Sequence, residues 1–220
     1  VLRADPVQLL RAFGAGGDLG LEVGDVLVGI ARRMRVGLEP GAQAGDPVLF
    51  TARDAAHKYM VDKFVKTGGN PPESEAALYE LLQEKLDGGV IYHCGPVVAK
   101  DDGVWRFVAA GPTTSIREEV YQDLVIEHFN LKAVIGKGGM GPRTLAACEK
   151  FAAVYLHAVG GAGTLIAERV VEVEDVHKLK EFGVPEAFWQ IRVEGFPAVV
   201  TMDSHGQSIH ADIAAQSEAK

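Results

Sequence analysis

Three times along this chain a short apolar run gives way to a turn that carries a cation, and each turn opens into a helical pattern. Pro47–Phe50 runs into Thr51-Ala52-Arg53-Asp54. Val104–Ala110 runs into Gly111-Pro112-Thr113-Thr114-Ser115-Ile116-Arg117. Leu131–Ile135 runs into Gly136-Lys137-Gly138-Gly139-Met140-Gly141. Repeated strand–turn–helix units leave few architectures open, because the strands must share a sheet and the helices must cover it. The pattern predicts an α/β chain of mixed sheet and flanking helices. In such folds ligands sit where strands hand over to helix N-termini.

The remaining pattern fits this frame. Ala55–Lys66 places Ala56, Met60 and Phe64 on one helical stripe, with Asp54 where an N-cap belongs. Gly68-Gly69-Asn70-Pro71-Pro72 is a break. Ser74–Leu86 reads as a second helix, capped by Ser74, with Ala77, Leu78, Leu81 and Leu82 inward. Val26–Ile30 and Gly89–Cys94 read as strands, and Asp101-Asp102-Gly103 as a hairpin turn. A helix from Ile116 to about Phe129 is expected behind a Ser115/Glu118 capping box. Pro142 suits the first turn of a helix ending near Phe151. Ala152–Val159, Val170–Val173, Trp189–Val193 and Ala198–Met202 are further strands, and the polar tail at about 211–220 is expected to fray. The chain reads as a single domain over 1–220.

Composition excludes several classes. At 47% apolar and 24% charged residues, the 220-residue chain can bury a sizeable core. A formal net charge of −8 gives nucleic acid and anionic membrane surfaces no global attraction. No apolar run approaches the roughly 20 residues that span a bilayer, and the opening residues lack the pattern of a signal peptide. Cys94 and Cys148 form no CxxC pair, so they read as buried free thiols of a cytoplasmic protein. Seven histidines include no HxxxH or HxH spacing, which disfavours a zinc site.

The three turns carry the chemistry. At Gly111–Arg117, hydroxyls fall at a helix start, where free N–H groups favour an anion. Arg117 in the first helical turn is unfavourable unless it meets negative charge, although a plain cap with a solvated arginine has the same sequence. Lys137 lies among glycines that let the backbone approach a ligand. That run lacks the GxxxxGK[ST] pattern of a phosphate loop, and it also reads as an ordinary glycine-rich turn. Arg53 can grip a carboxylate with two parallel hydrogen bonds, or it can pair with Asp54 at the surface. His57 reads as a structural hydrogen-bonding residue. If Arg53, Arg117 and Lys137 converge, they suit a small dicarboxylate.

Thr51–Lys58, Gly111–Arg117 and Val134–Met140, in that order, resemble the beta region of iron–sulfur hydro-lyases, the class I fumarases and L-tartrate dehydratases. Val184–Trp189, Phe196–Val200 and Asp203–Gly206 are similar to the ending of that family, so the resemblance runs from about Gly24 to His210. It implies a swivelling β/β/α domain. It implies a partner, an alpha subunit or domain whose three cysteines hold a [4Fe–4S] cluster, with no metal ligand in this chain. The assembly would be α2β2 or a dimer of fused chains. It implies Thr113 as the catalytic hydroxyl, with Arg53, Arg117 and Lys137 on the substrate carboxylates and Gly111, Thr114, Ser115, Gly136 and Gly138 in support. The implied activity is reversible hydration of fumarate to L-malate, with L-tartrate or mesaconate-type chemistry as the alternative. A non-catalytic anion-binding domain is the reading from a different class. Departures are Glu118 where the family often has methionine, an added loop at Gly68–Glu73, and an unmatched segment at about 1–20.

Overall fold

The computed structural model of the chain describes residues 48–218, so the strand expected at Val26–Ile30 and the segment at about 1–20 lie outside the described residues. Four parallel strands form the centre of the sheet: β1 (Val48–Thr51), β2 (Val90–Tyr92), β5 (Ala133–Gly136) and β6 (Val154–Ala158), adjacent in that order. Antiparallel strands flank them. β8 (Phe188–Val193) pairs with β1, β7 (Val170–His177) with β8, and β9 (Ala198–Met202) with β6. β3 (Val97–Asp101) and β4 (Val104–Ala109) make a separate hairpin. Its Asp102 and Gly103 both have positive φ, as a tight two-residue hairpin turn requires.

Side chains alternate between the two faces of the sheet, and the register shows it directly. Leu49, Val90, Ala133 and Val154 lie in one row and join the core under the hairpin. The next row, Phe50, Ile91, Val134 and Tyr155, joins the core under the helices. Both faces are therefore covered, which explains why the central strands read as near-continuous apolar runs. The layers are a β-hairpin, the mixed sheet and helices. This is the α/β architecture expected, with the β/β/α layering of the resemblance.

The helical layer contains α1 (Asp54–Met60, continued by a π-helical turn Val61–Val65), α2 (Ala76–Leu86), α3 (Glu119–Phe129) and α4 (Pro142–Phe151). Ala56, Met60 and Phe64 are all buried, as their spacing predicted. Shorter helices are α5 (Gly163–Ala167) and α6 (Leu179–Phe182), and α7 (Ile209–Glu218) closes the described chain. Among the described residues no helix is long and apolar enough to cross a membrane.

Four local expectations need correction. Asp54 is not the N-cap of α1 but its first helical residue; extended Arg53 is the cap, and the Glu186 carboxylate accepts the free Ala55 N–H at 3.0 Å. Ser74 does not cap α2, because a 3-10 turn at Glu73–Glu75 precedes it. That offset leaves Ala77 exposed and puts Leu78, Leu82 and Leu86 on the inner stripe. The Ser115/Glu118 capping box is absent: those residues form a 3-10 turn, and both side chains point into buried surroundings. The described part of the tail, Ile209–Glu218, is helical where an irregular end was expected, and the His210 ring packs against Gly139, whose φ is +83°.

Candidate functional site

Parallel strands present their C-terminal ends on one edge, and the site assembles there. β1 delivers Arg53, β2 delivers His93 and β5 delivers Lys137. The hairpin returns the chain to the same edge as Gly111–Arg117, where an isolated bridge joins Cys94 to Pro112 and another joins Thr114 to Lys137.

Thr113 and Arg117 meet directly. The Arg117 guanidinium donates to Thr113 Oγ1 at 3.1 Å across one turn of the 3-10 segment. The same guanidinium reaches Asp54 Oδ2 at 2.8 Å. Arg53 lies on the other side of Asp54, 4.0 Å from that oxygen, and its Nε faces Glu186 Oε1 at 3.3 Å. Asp54 thus stands between the two arginines, and its stronger partner is Arg117, not the neighbouring Arg53. Lys137 joins through its backbone. Its carbonyl accepts the Ser115 N–H at 3.0 Å, and its own N–H donates to Ser115 Oγ at 3.2 Å. Lys137 makes no ion pair among the described residues, and its chain lies beside Gly160.

The supporting positions differ in what they do. Gly136 has no room for a side chain, since a Cβ there would fall on Ser115 Oγ and come within 3.0 Å of the Tyr155 hydroxyl and 3.1 Å of His93 Nδ1. Gly138 has φ +80° and is exposed, so glycine there serves the turn. Gly111 would meet only ordinary contacts if it carried a Cβ, so its glycine is not forced by space. Thr114 is exposed and caps no helix with its side chain.

A buried polar layer underlies these turns. His57, His93, Ser115, Glu118 and Gln122 are all fully buried. His93 Nε2 and His57 Nε2 lie 2.7 Å and 3.0 Å from Gln122 Oε1. His57 Nδ1 lies 3.1 Å from the Arg53 carbonyl oxygen, which makes His57 the structural residue expected. Burial pushes His57 down to about 4 and His93 to about 3, so both rings are neutral at physiological pH.

Glu118 shows the opposite shift. Burial first, then the negative charge of Asp54, raises its carboxyl to about 8, with Glu186 adding and Arg117 opposing. Its Oε2 is 3.6 Å from His57 Nδ1, and neither oxygen has a hydrogen-bond partner among the described residues. The folded chain therefore holds a proton here that the unfolded chain gives up above the ordinary carboxyl value of 4.5. Stability from this group is present below pH 4.5, declines as pH rises, and is fully lost above about 8. Glu118→Gln should remove the decline and, after allowance for solvent screening, gain roughly 1–3 kcal/mol at pH 8. Urea unfolding at pH 5 and pH 8 measures it; parallel pH dependence in the two proteins would show that Glu118 is not protonated.

Neither thiol belongs to the site. Cys94 lies in the core beneath the hairpin and Cys148 in the core beneath the helices, so the sheet separates them. Burial raises both to about 12. Among the described residues no group of three His, Cys, Asp or Glu could hold a metal ion. This chain's described residues do not fit the ligand set of a [4Fe–4S] cluster.

Sequence reasoning named Arg53, Thr113, Arg117 and Lys137 and offered Asp54 as a partner of Arg53, but missed its pairing with Arg117 and missed His93, Gln122, Tyr155 and Glu186 as supports. The one available signal was a histidine at the end of the buried run Val90–Cys94, where an apolar residue is expected.

Comparison with known proteins places the chain in a family. A profile described as "Fumarase C-terminus" matches residues 45–213. A candidate class I fumarate hydratase of Geobacillus stearothermophilus is 48% identical over 167 residues, which is 76% of this chain and 29% of that protein. The matched part of the chain thus covers less than a third of that relative's length. A candidate L(+)-tartrate dehydratase subunit beta of Methanocaldococcus jannaschii is 37% identical over 75% of this chain and 79% of its own. The L(+)-tartrate dehydratase subunit beta of Escherichia coli K12 is 37% identical over 74% of each. With most of the chain matched and the same turns assembled at one sheet edge, this protein belongs to the fumarase C-terminus family, as a beta, or C-terminal, region of the fumarase–tartrate dehydratase hydro-lyases.

Proposed function

We propose that this chain is the beta region of an iron–sulfur hydro-lyase that adds water reversibly to fumarate to give L-malate. The observation that carries the reading is the contact of the Arg117 guanidinium with Thr113 Oγ1, on a turn fastened to Lys137 through Ser115. A threonine hydroxyl alone is a weak acid and a weaker base. A guanidinium on its oxygen stabilises the negative charge that builds there when its proton moves. Thr113 is assigned to the substrate's carbon-bound proton, together with an acidic residue of the partner region. Arg53, Arg117 and Lys137 are assigned to the substrate carboxylates.

The [4Fe–4S] cluster belongs to the partner, an alpha subunit or domain, and supplies Lewis-acid activation of the hydroxyl that leaves or arrives. This chain's part is to bind the diacid, orient it and hold the proton at Thr113 Oγ1. Fumarate is preferred because the relative named for fumarate hydratase is the more similar, at 48% against 37%. L-Tartrate is the alternative, favoured by the names of the beta-subunit relatives. The partner is expected in an α2β2 assembly or a dimer of fused chains, in the cytoplasm.

The test is a panel of fumarate, L-tartrate and mesaconate, assayed with this chain alone and with an anaerobically reconstituted partner region. Activity should need both and be highest with fumarate. Full activity of the chain alone would sink the assignment, and preference for tartrate would move it to the alternative.

A further inference from the structure

Thr113 and Lys137 lie on different turns, and no hydrogen bond joins their side chains among the described residues. What joins the turns is buried beneath them. The His93 carbonyl accepts the Thr113 N–H at 2.7 Å, and the His93 N–H donates to the Ile135 carbonyl at 2.8 Å, one residue before Gly136. His93 Nδ1 lies 2.9 Å from Ser115 Oγ. Ser115 Oγ also accepts the Lys137 N–H at 3.2 Å and the Tyr155 hydroxyl at 2.9 Å. On its far side the ring is held by Gln122 at 2.7 Å.

The alternation of the sheet explains the arrangement. Phe50, Ile91 and Val134 face the helices, so two residues on, Ala52, His93 and Gly136 face them again. Gly136 leaves empty the place where its side chain would stand, and Ser115 Oγ fills it. His93 stands next to that place and is fully buried.

We infer that His93 is a positioning residue of the site, setting the Thr113 turn against the Lys137 turn through the bond between its Nδ1 and Ser115 Oγ. The inference rests on the reading above for what those turns do; the placement itself stands on the geometry. Because His93 is neutral and out of reach of solvent, it moves no proton to substrate. It acts by direction alone.

The two ring nitrogens give a test that a merely space-filling role would fail. Asparagine places a polar atom where Nδ1 lies and cannot reach Gln122. Glutamine reaches toward Gln122 and leaves Ser115 unmet. In the chain assembled with its partner region, His93→Gln should lose at least about tenfold in kcat, because small misalignment of reacting groups is costly. His93→Asn should stay within about threefold of the parent. A core-filling role reverses the order, since glutamine is closer to histidine in volume. Parent-like kcat in His93→Gln, or a greater loss in His93→Asn, overturns the inference.

A second readout separates its failure from that of the proposed function. In amide NMR of the chain, His93→Gln should shift the Thr113 and Lys137 N–H signals, and His93→Asn should shift them less. If the parent assembly turns over none of the three acids, the function fails while the amide shifts still decide the placement. Amides unmoved in His93→Gln would refute the placement whatever the substrate.

Discussion

Arg117→Ala, assembled with the partner region, should lose roughly 30- to 1,000-fold in kcat/KM, the equivalent of about 2–4 kcal/mol of transition-state stabilisation. One guanidinium does two things at once: it donates to Thr113 Oγ1 and it meets Asp54. Alanine leaves the threonine oxygen without its cation and leaves Asp54, beside the buried acid of Glu118, with less positive charge near it. Arg117→Lys separates the roles. An ammonium keeps the charge but not the planar, pre-organised placement from which Nη2 meets both partners, so KM should change little while kcat falls. The side chain is about half exposed, so neither variant should shift the melting temperature by more than a few degrees. Steady-state kinetics of the two variants checks this, and unchanged kcat/KM in Arg117→Ala would remove the residue from the site.

Gly136→Ala should be among the most damaging single methyl groups that can be added to this fold, costing roughly 3–5 kcal/mol. The added carbon would occupy the position of Ser115 Oγ and crowd the Tyr155 hydroxyl and His93 Nδ1. Ser115 would have to leave, and its contacts with His93, Tyr155 and the Lys137 N–H would go with it. A double-mutant cycle makes the cause visible. Ser115→Ala removes the clashing oxygen, so the double variant should be more stable than the sum of the single changes by at least about 1 kcal/mol. The rescue is partial, because the tyrosine hydroxyl and the imidazole remain without that partner. Denaturant unfolding of the four proteins measures the coupling, and additive losses would place the strain elsewhere.

Much of the framework was legible because hydrophobic periodicity carried it. Ala56, Met60 and Phe64 announce the buried stripe of α1, and Pro142 marks the first turn of α4. The caps were not legible, because the chain satisfies helix starts from a distance. Glu186, far along the sequence, serves the first turn of α1. Glu119, on α3, accepts the N–H groups of Gly141, Arg143 and Thr144 at the start of α4. A local rule that looks for Asp54 or Ser115 at the cap has no view of such partners. Arg53, Arg117 and Lys137 could be named because cations on strand–helix turns are conspicuous, and Thr113 was named through the family resemblance. Their supports could not, since His93, Gln122 and Tyr155 resemble ordinary residues of a strand, a helix and a strand until the sheet sets them side by side.

The pairing of the arginines bears on which anions this edge can tell apart. Arg53 already faces Glu186, and Arg117 already holds Asp54. On the proposed assignment, an incoming carboxylate trades places with one of the protein's own, and for a monoacid the count of ion pairs before and after is equal. A diacid that also reaches Lys137, which has no ion pair among the described residues, comes out one pair ahead. On that assignment the internal carboxylates act as a counterweight, making the second charge of the ligand the one that decides whether it stays.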